Sequence, residues 1–185
     1  MKKFLFLSVL ALSLTMGSSS KAAVLDTLLL YFPNRAVDFM DTFSVCLGFG
    51  PAAHGHIWAT RALGFGGGVG ATAQVVKEIN RQYGTALVDG WESSFMVISA
   101  EDKKLSEATR GVKDYYYYST GIPLPDEPIY DFYNGARDYW SFGAHVALLG
   151  ELQLEFHPVE LADFITGFFF IDLKGDDFTS DDLRM

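Results

Sequence analysis

Four histidines and the acids around them are the residues best placed by spacing to do chemistry. His54-Gly-His56 sets two imidazoles on one face of a strand, a separation that can chelate zinc or copper. His145 and His157 occupy odd positions in and just beyond the stretch from Phe142 to Phe156, together with Glu151 and Glu155. The even positions there (Phe142, Ala144, Val146, Leu148, Gly150, Leu152, Leu154, Phe156) are all apolar or glycine. A period of two held this long predicts β-structure with one apolar and one polar face. If that strand pairs with the one carrying His54 and His56, a His-carboxylate cluster results. The alternative is four strand-surface or hydrogen-bonded structural histidines. No metal or cofactor is the expectation, and the four histidines are the candidates should there be one.

Other constellations point more weakly. Gly66 to Ala71 fits G-x-G-x-x-A, with Asp89 about 20 residues on, where a dinucleotide site wants its ribose-binding acid. No repeating βαβ pattern accompanies it. Glu160 and Asp163 share a helical face, either as an acid–base pair or as acids complementing the helix dipole. Arg35, Asp38 and Asp41 read as a local ion-pair and capping cluster. Asp172, Asp176, Asp177, Asp181 and Asp182 form an acidic tail, from about residue 174, whose spacing does not match an EF-hand loop. Cys46 is the one cysteine, so no internal disulfide forms, and it reads as a small buried side chain. Ser93 and Ser94 have no base nearby in sequence, and no G-x-S-x-G, H-E-x-x-H or P-loop motif is present.

The elements that must position these groups follow from the rest of the chain. Lys2 and Lys3, the apolar run Phe4 to Met16, and Ser20-Lys21-Ala22 have the layout of a secretory signal peptide, residues 1–22. Removing it takes away Lys2, Lys3 and Lys21, leaving 11 basic side chains against 23 acidic, a net charge near −12. Such a surface argues against nucleic-acid binding and against adhesion to anionic headgroups. Residues 23–185 fit one domain. Val24 to Phe32 is an apolar segment stopped by Pro33, and Asn34 caps a helix near 35–42. Strands are expected over 43–49 and 54–65, with a turn at Pro51. The 71–83 segment fits either a helix ending at Gly84 or a hairpin turning near Asn80. Short strands follow at 85–88 and 94–99, then a charged surface helix or loop over 100–114. Tyr115 to Tyr118 reads as a strand or an interfacial aromatic patch. Pro158 starts a helix near 158–166, and 168–173 reads as a buried strand. The fold class is mainly β with short helices (α+β), a single antiparallel sheet or small barrel-like domain.

Two segments carry a resemblance. Asn34, Arg35, Asp38 and Asp41 match an N-R-x-x-D-x-x-D opening; Pro158, Glu160, Asp163, Phe164, Gly167 and Asp172 match a closing P-x-E-x-x-D-F-x-x-G-x-x-x-x-D element. Together they resemble a family of small exported bacterial envelope proteins, many of them lipoproteins, with no assigned activity. The resemblance implies a Gly-rich β-hairpin around residues 64–70, a structural role for the matched residues, and the periplasm or outer membrane of a Gram-negative bacterium. This chain lacks the lipid-attachment cysteine. The expected function is a non-catalytic envelope protein with a structural or binding role, in contact with the outer membrane or another envelope protein. The alternatives are a small transmembrane β-barrel, against which the length of the 142–156 strand counts, and a metal-dependent enzyme using the histidines. The expected arrangement of that strand is a core-forming strand or bent hairpin, its apolar side covered by the 158–173 element.

Overall fold

The computed structural model describes residues 18–178, with side chains from Leu29 onward. Most of the signal-peptide segment, and Asp181 and Asp182, lie outside the described residues. In chain order the elements are helix α1 (Ser18–Asp41), strands β1 (Phe43–Ala59), β2 (Gly64–Glu78), β3 (Gln82–Met96), β4 (Ile98–Glu107), β5 (Tyr115–Gly121) and β6 (Phe142–Phe156), and helix α2 (Pro158–Gly167). All strand pairs are antiparallel and the order is β5-β4-β3-β2-β1-β6. The sheet is not closed into a barrel: β5 and β6 are its two edges.

Alternation decides which face turns inward. Along β1 the odd positions Val45, Leu47, Phe49 and Ile57 are exposed, while Ser44, Cys46 and His56 are buried. In β6, Val146, Leu148, Leu152 and Leu154 are exposed, Leu148 at 80 %, while His145, Glu151 and Glu155 are buried, His145 at 1 %. The same holds for Phe65, Val69 and Val75 on β2 and for Leu87, Trp91 and Phe95 on β3. The sheet therefore points its polar face inward. This reverses the expected arrangement, in which the apolar side of β6 was covered by the 158–173 element. A pattern of period two fixes which residues share a face but not which face is enclosed.

The enclosure comes from a bend. A 15-residue strand extends about 50 Å, yet the rings of Phe142 and Phe156, at opposite ends of β6, have centroids 6.4 Å apart. The β1–β6 register shifts between Phe49 and Ala53, and Leu149 opposite has φ +67°. Gly70 pairs with Ala52 on one side and Gly90 on the other. A Cβ on Gly70 would collide with Ala52, and Gly90 has φ +138° with the Asp102 carbonyl where its Cβ would be. Glycine is thus required along the crease at these two positions. The two halves of the folded sheet face each other across the buried polar interior, and the connection from β5 to β6 covers it by packing Tyr130 and Tyr139 against Tyr117. A small apolar cluster of Cys46, Val76, Ala86, Val88, Leu105 and Val112 lies at one end.

Several expectations are corrected. The first helix does not begin at Asn34 but runs through Pro33; the ring removes one intrahelical bond, and docking of Phe39 on Phe164 (5.5 Å between ring centroids) and Tyr31 on Phe170 (5.2 Å) helps hold the helix in place. Of the two readings of residues 71–83 the hairpin holds and the helix does not: the chain turns on Asn80 and Arg81, both with positive φ. Pro51 lies within β1 at its bulge rather than in a turn. The charged 100–114 stretch is mainly strand β4, its charges alternating between the interior (Glu101, Lys103) and the outside (Asp102, Lys104). Residues 168–173 are an irregular turn with Phe168, Phe169, Phe170 and Ile171 exposed, not a buried strand.

Replacing Gly90 by Ala should lower unfolding stability by about 2 kcal/mol or more, from left-handed strain plus the carbonyl clash. Gly150→Ala should be nearly neutral, because its Cβ would meet nothing within 4 Å. Equilibrium urea unfolding of the two variants checks the contrast.

Candidate functional site

The interior brings three of the four candidate histidines together. His54 and His56 point in from β1, and His145 pairs with His56 from β6. Their Nδ1 atoms surround one oxygen of Glu92, on β3: His54 and His56 at 3.5 Å and His145 at 3.1 Å from Oε1. Glycines on β2 make room. Gly68 lies opposite His54, where any Cβ would strike the imidazole, and a Cβ on Gly64 would come within 2.9 Å of His56 Nε2. Gly48 leaves the corresponding space for Glu151. The glycine-rich run is therefore the floor of a histidine cluster and not a phosphate loop. Asp89 is exposed on the outer face, away from it.

Charges in this cluster are mutually arranged. Glu92 Oε2 faces Lys103 Nζ at 3.9 Å, and His145 Nε2 lies 2.6 Å from Glu151 Oε1. Burial works to raise the Glu92 carboxyl, but Lys103 and the three histidines overcome it and hold it well below the usual carboxylate range. For Glu151 burial is likewise outweighed, chiefly by His145, and its pKa falls to about 2. The two carboxylates in turn raise His145 against the effect of burial. The rings of His54 and His145 stack 4.2 Å apart. His54 Nδ1, both nitrogens of His56 and Glu151 Oε2 are buried without a hydrogen-bond partner.

His157 lies elsewhere, immediately before α2. Its Nε2 is 2.7 Å from Ser44 Oγ and its Nδ1 2.9 Å from Asp138 Oδ2. This is the connectivity of a nucleophile, base and orienting acid. Ser44, however, is 2 % exposed and His157 1 %, so no substrate carbonyl reaches the hydroxyl in this conformation. The three residues instead tie the start of β1, the end of β6 and the β5–β6 connection together. Nearby, Arg61 Nη2 contacts Glu155 at 2.8 Å and Arg137 Nη1 contacts Glu101 at 2.6 Å. Burial opposes the charge on Glu155, yet Arg61 foremost brings its pKa down to about 2.

The remaining sequence-selected residues assemble at the helical end. Arg35 pairs with Asp38 at 3.0 Å and with Asp177 at 2.7 Å, and Asp41 with Lys77 at 3.2 Å. A Cβ at Gly167 would occupy the position of the Arg35 guanidinium. Asn34 both accepts from the Phe178 N–H and donates to its carbonyl. Glu160 holds Lys174 at 2.5 Å, Asp163 accepts the amides of Leu173 and Lys174, and Asp172 accepts those of Gly175 and Asp177. Pro158 opens α2. The described part of the acidic tail is thus folded back onto α1 and α2 and is not a free solvated terminus. Asp38, Asp163 and Asp176 offer oxygens within 4.8 Å of one another, but Arg35 and Arg81 already counter them. Burial, with those neighbouring acids, still pushes Asp38 up to about 7 against the pull of Arg35.

Sequence spacing selected His54, His56 and His145 but not Glu92 or Lys103, which arrive from β3 and β4 and carry no local motif. Ser44 and Asp138 were equally invisible, since each reaches His157 only through the folded sheet. No family model matches the chain, and no curated protein or solved structure matches it either.

Arg61→Leu leaves Glu155 buried without its main counter-ion and should cost about 3 to 5 kcal/mol, most of it recovered in Arg61→Leu/Glu155→Leu. Because the Glu155 and Glu151 pKa values are depressed on folding to about 2, their stabilisation is complete above the ordinary carboxylate pKa near 4.5 and lost as pH falls toward 2. Glu155→Gln should flatten that acid limb, read by thermal unfolding between pH 5 and 2.

Proposed function

We propose that the protein is a non-catalytic, exported envelope protein that rests on a membrane through the apolar outer face of its folded sheet. The observation that carries this reading is the outward alternation on β6, β1, β2 and β3. Leu47, Phe49, Ile57, Phe65, Val146 and Leu148 are all exposed on one continuous sheet. Monomers in water rarely present contiguous apolar patches of more than a few hundred Å². The aromatic turn Phe168–Ile171, with Leu29 and Phe32 exposed on α1, supplies a second apolar surface.

A closed transmembrane barrel is the weaker alternative. The edges β5 and β6 leave backbone groups that hydrocarbon does not tolerate unpaired, and β4 presents Asp102 and Lys104 outward. Among the described residues no helix is long and apolar enough to cross a membrane, which says nothing of strands. Lying on the lipid surface, with the polar edges kept in water, fits the mixed outer surface better. The signal-peptide layout, the resemblance to exported envelope proteins and the buried state of Ser44 support export and a role without catalysis. With residues 1–22 removed the net charge is near −12, which favours zwitterionic lipid over anionic.

Flotation with zwitterionic phospholipid vesicles tests the reading. The folded wild-type protein should rise with the vesicles. Val146→Glu/Leu148→Glu should lose at least about tenfold in partition, a charge in apolar lipid costing about 2 kcal/mol or more. A protein that stays monodisperse in detergent-free buffer and ignores the vesicles would refute it.

A further inference from the structure

We propose that His54, His145 and Glu92 bind a buried zinc ion, with His56 supplying the fourth ligand. These residues all lie on the inner face, so the site is independent of what covers the outer face. Ligand atoms about 2.0 to 2.1 Å from a tetrahedral zinc ion lie about 3.3 Å from one another. The Nδ1 atoms of His54 and His145 stand 3.5 and 3.1 Å from Glu92 Oε1, and the three ligand atoms all fall within 4.8 Å of one another. They therefore already sit near the edge lengths of a coordination polyhedron and need only slight movement to close on an ion.

The partners of these groups point the same way. His54 Nδ1 and both nitrogens of His56 are buried and make no hydrogen bond, a costly state for imidazoles that nothing else on this face relieves. His56 Nδ1 is 3.5 Å from the same Glu92 oxygen, so it is the nearest imidazole for the position that the first three ligands leave. His145 carries the orienting bond that zinc-binding histidines make: with Nδ1 toward the ion, Nε2–H donates to Glu151 at 2.6 Å. Two imidazole nitrogens and one carboxylate oxygen at these separations, completed by an approach of His56, suit tetrahedral zinc better than copper(II), which prefers a tetragonal arrangement. Four protein ligands leave no open position, so the ion joins β1, β3 and β6 and does not activate water.

The test uses the full folded chain without a histidine tag, stripped with chelator and dialysed against micromolar zinc. Elemental analysis should find about one zinc per chain. Glu92→Gln and His145→Gln should abolish stoichiometric uptake, Glu151→Gln should weaken it by about 10- to 100-fold, and His157→Gln, outside the cluster, should retain it. Cobalt(II) in place of zinc reads the geometry in the wild-type protein even if a cluster variant fails to fold: an intense visible band marks a tetrahedral site. The proposal is overturned if wild-type protein takes up no zinc, if the cluster variants bind as well as wild type, or if cobalt gives only the weak band of an octahedral aqua-like ion.

Discussion

Charge compensation inside the folded sheet is the constraint on which the rest depends. Turning a polar face inward removes Glu92, Glu101, Glu151, Glu155, Lys103, Arg61 and Arg137 from water, and each such ion would be strongly destabilising alone. The structure answers by direct pairing: Arg61 with Glu155, Arg137 with Glu101, Lys103 and the histidines with Glu92. Every pair joins two different elements or connections, so neutralisation and assembly are one event. The sheet can bend only where the backbone permits close approach, and it can stay bent only because the opposed charges meet across the fold.

The same logic accounts for the helical end. Arg35, Asp177, Lys174, Glu160 and Asp163 tie α1 and α2 to the returning tail by side-chain bridges, beside the ring contact of Phe39 with Phe164. Gly167 is small because the Arg35 guanidinium needs the volume next to it. The apolar side chains that a helix pair in water would bury here are largely left outside, at Leu29, Phe32 and the Phe168–Ile171 turn.

Local patterns were legible in the sequence wherever a short-range rule governed them. The even–odd split of Phe142–Phe156, the helix opening at Pro158 and the mainly antiparallel β class all follow from spacing and punctuation. A bend in Phe142–Phe156 was likewise suggested by a strand too long to be straight, and the structure places it at Leu149. What escaped was decided at long range. Pro33 reads as a stop, yet tertiary contacts carry α1 through it; the 100–114 charges read as surface, yet Glu101 and Lys103 point into a polar interior. That inversion is the largest lesson: patterning separates two faces, and only the closed geometry names the inside. The cluster illustrates the same limit, because His54-x-His56 is visible as a motif while Glu92 has no neighbour in sequence that marks it.

Pairing β6 beside β1 has a consequence for the timing of assembly. Ser44 meets His157 across 113 residues of chain, so the pair of long strands at the β6 edge of the sheet joins the first strand made to the last. Hairpins β1–β2, β2–β3 and β3–β4 can form as soon as their turns exist, whereas β1 gains its second neighbour only when nearly the whole chain is present. Non-local pairing of this kind slows folding, and during the delay both the apolar outside and the uncompensated interior are open to the surroundings. Closure of the polar interior therefore waits on completion of the chain, so the order of synthesis and the order of closure are opposed.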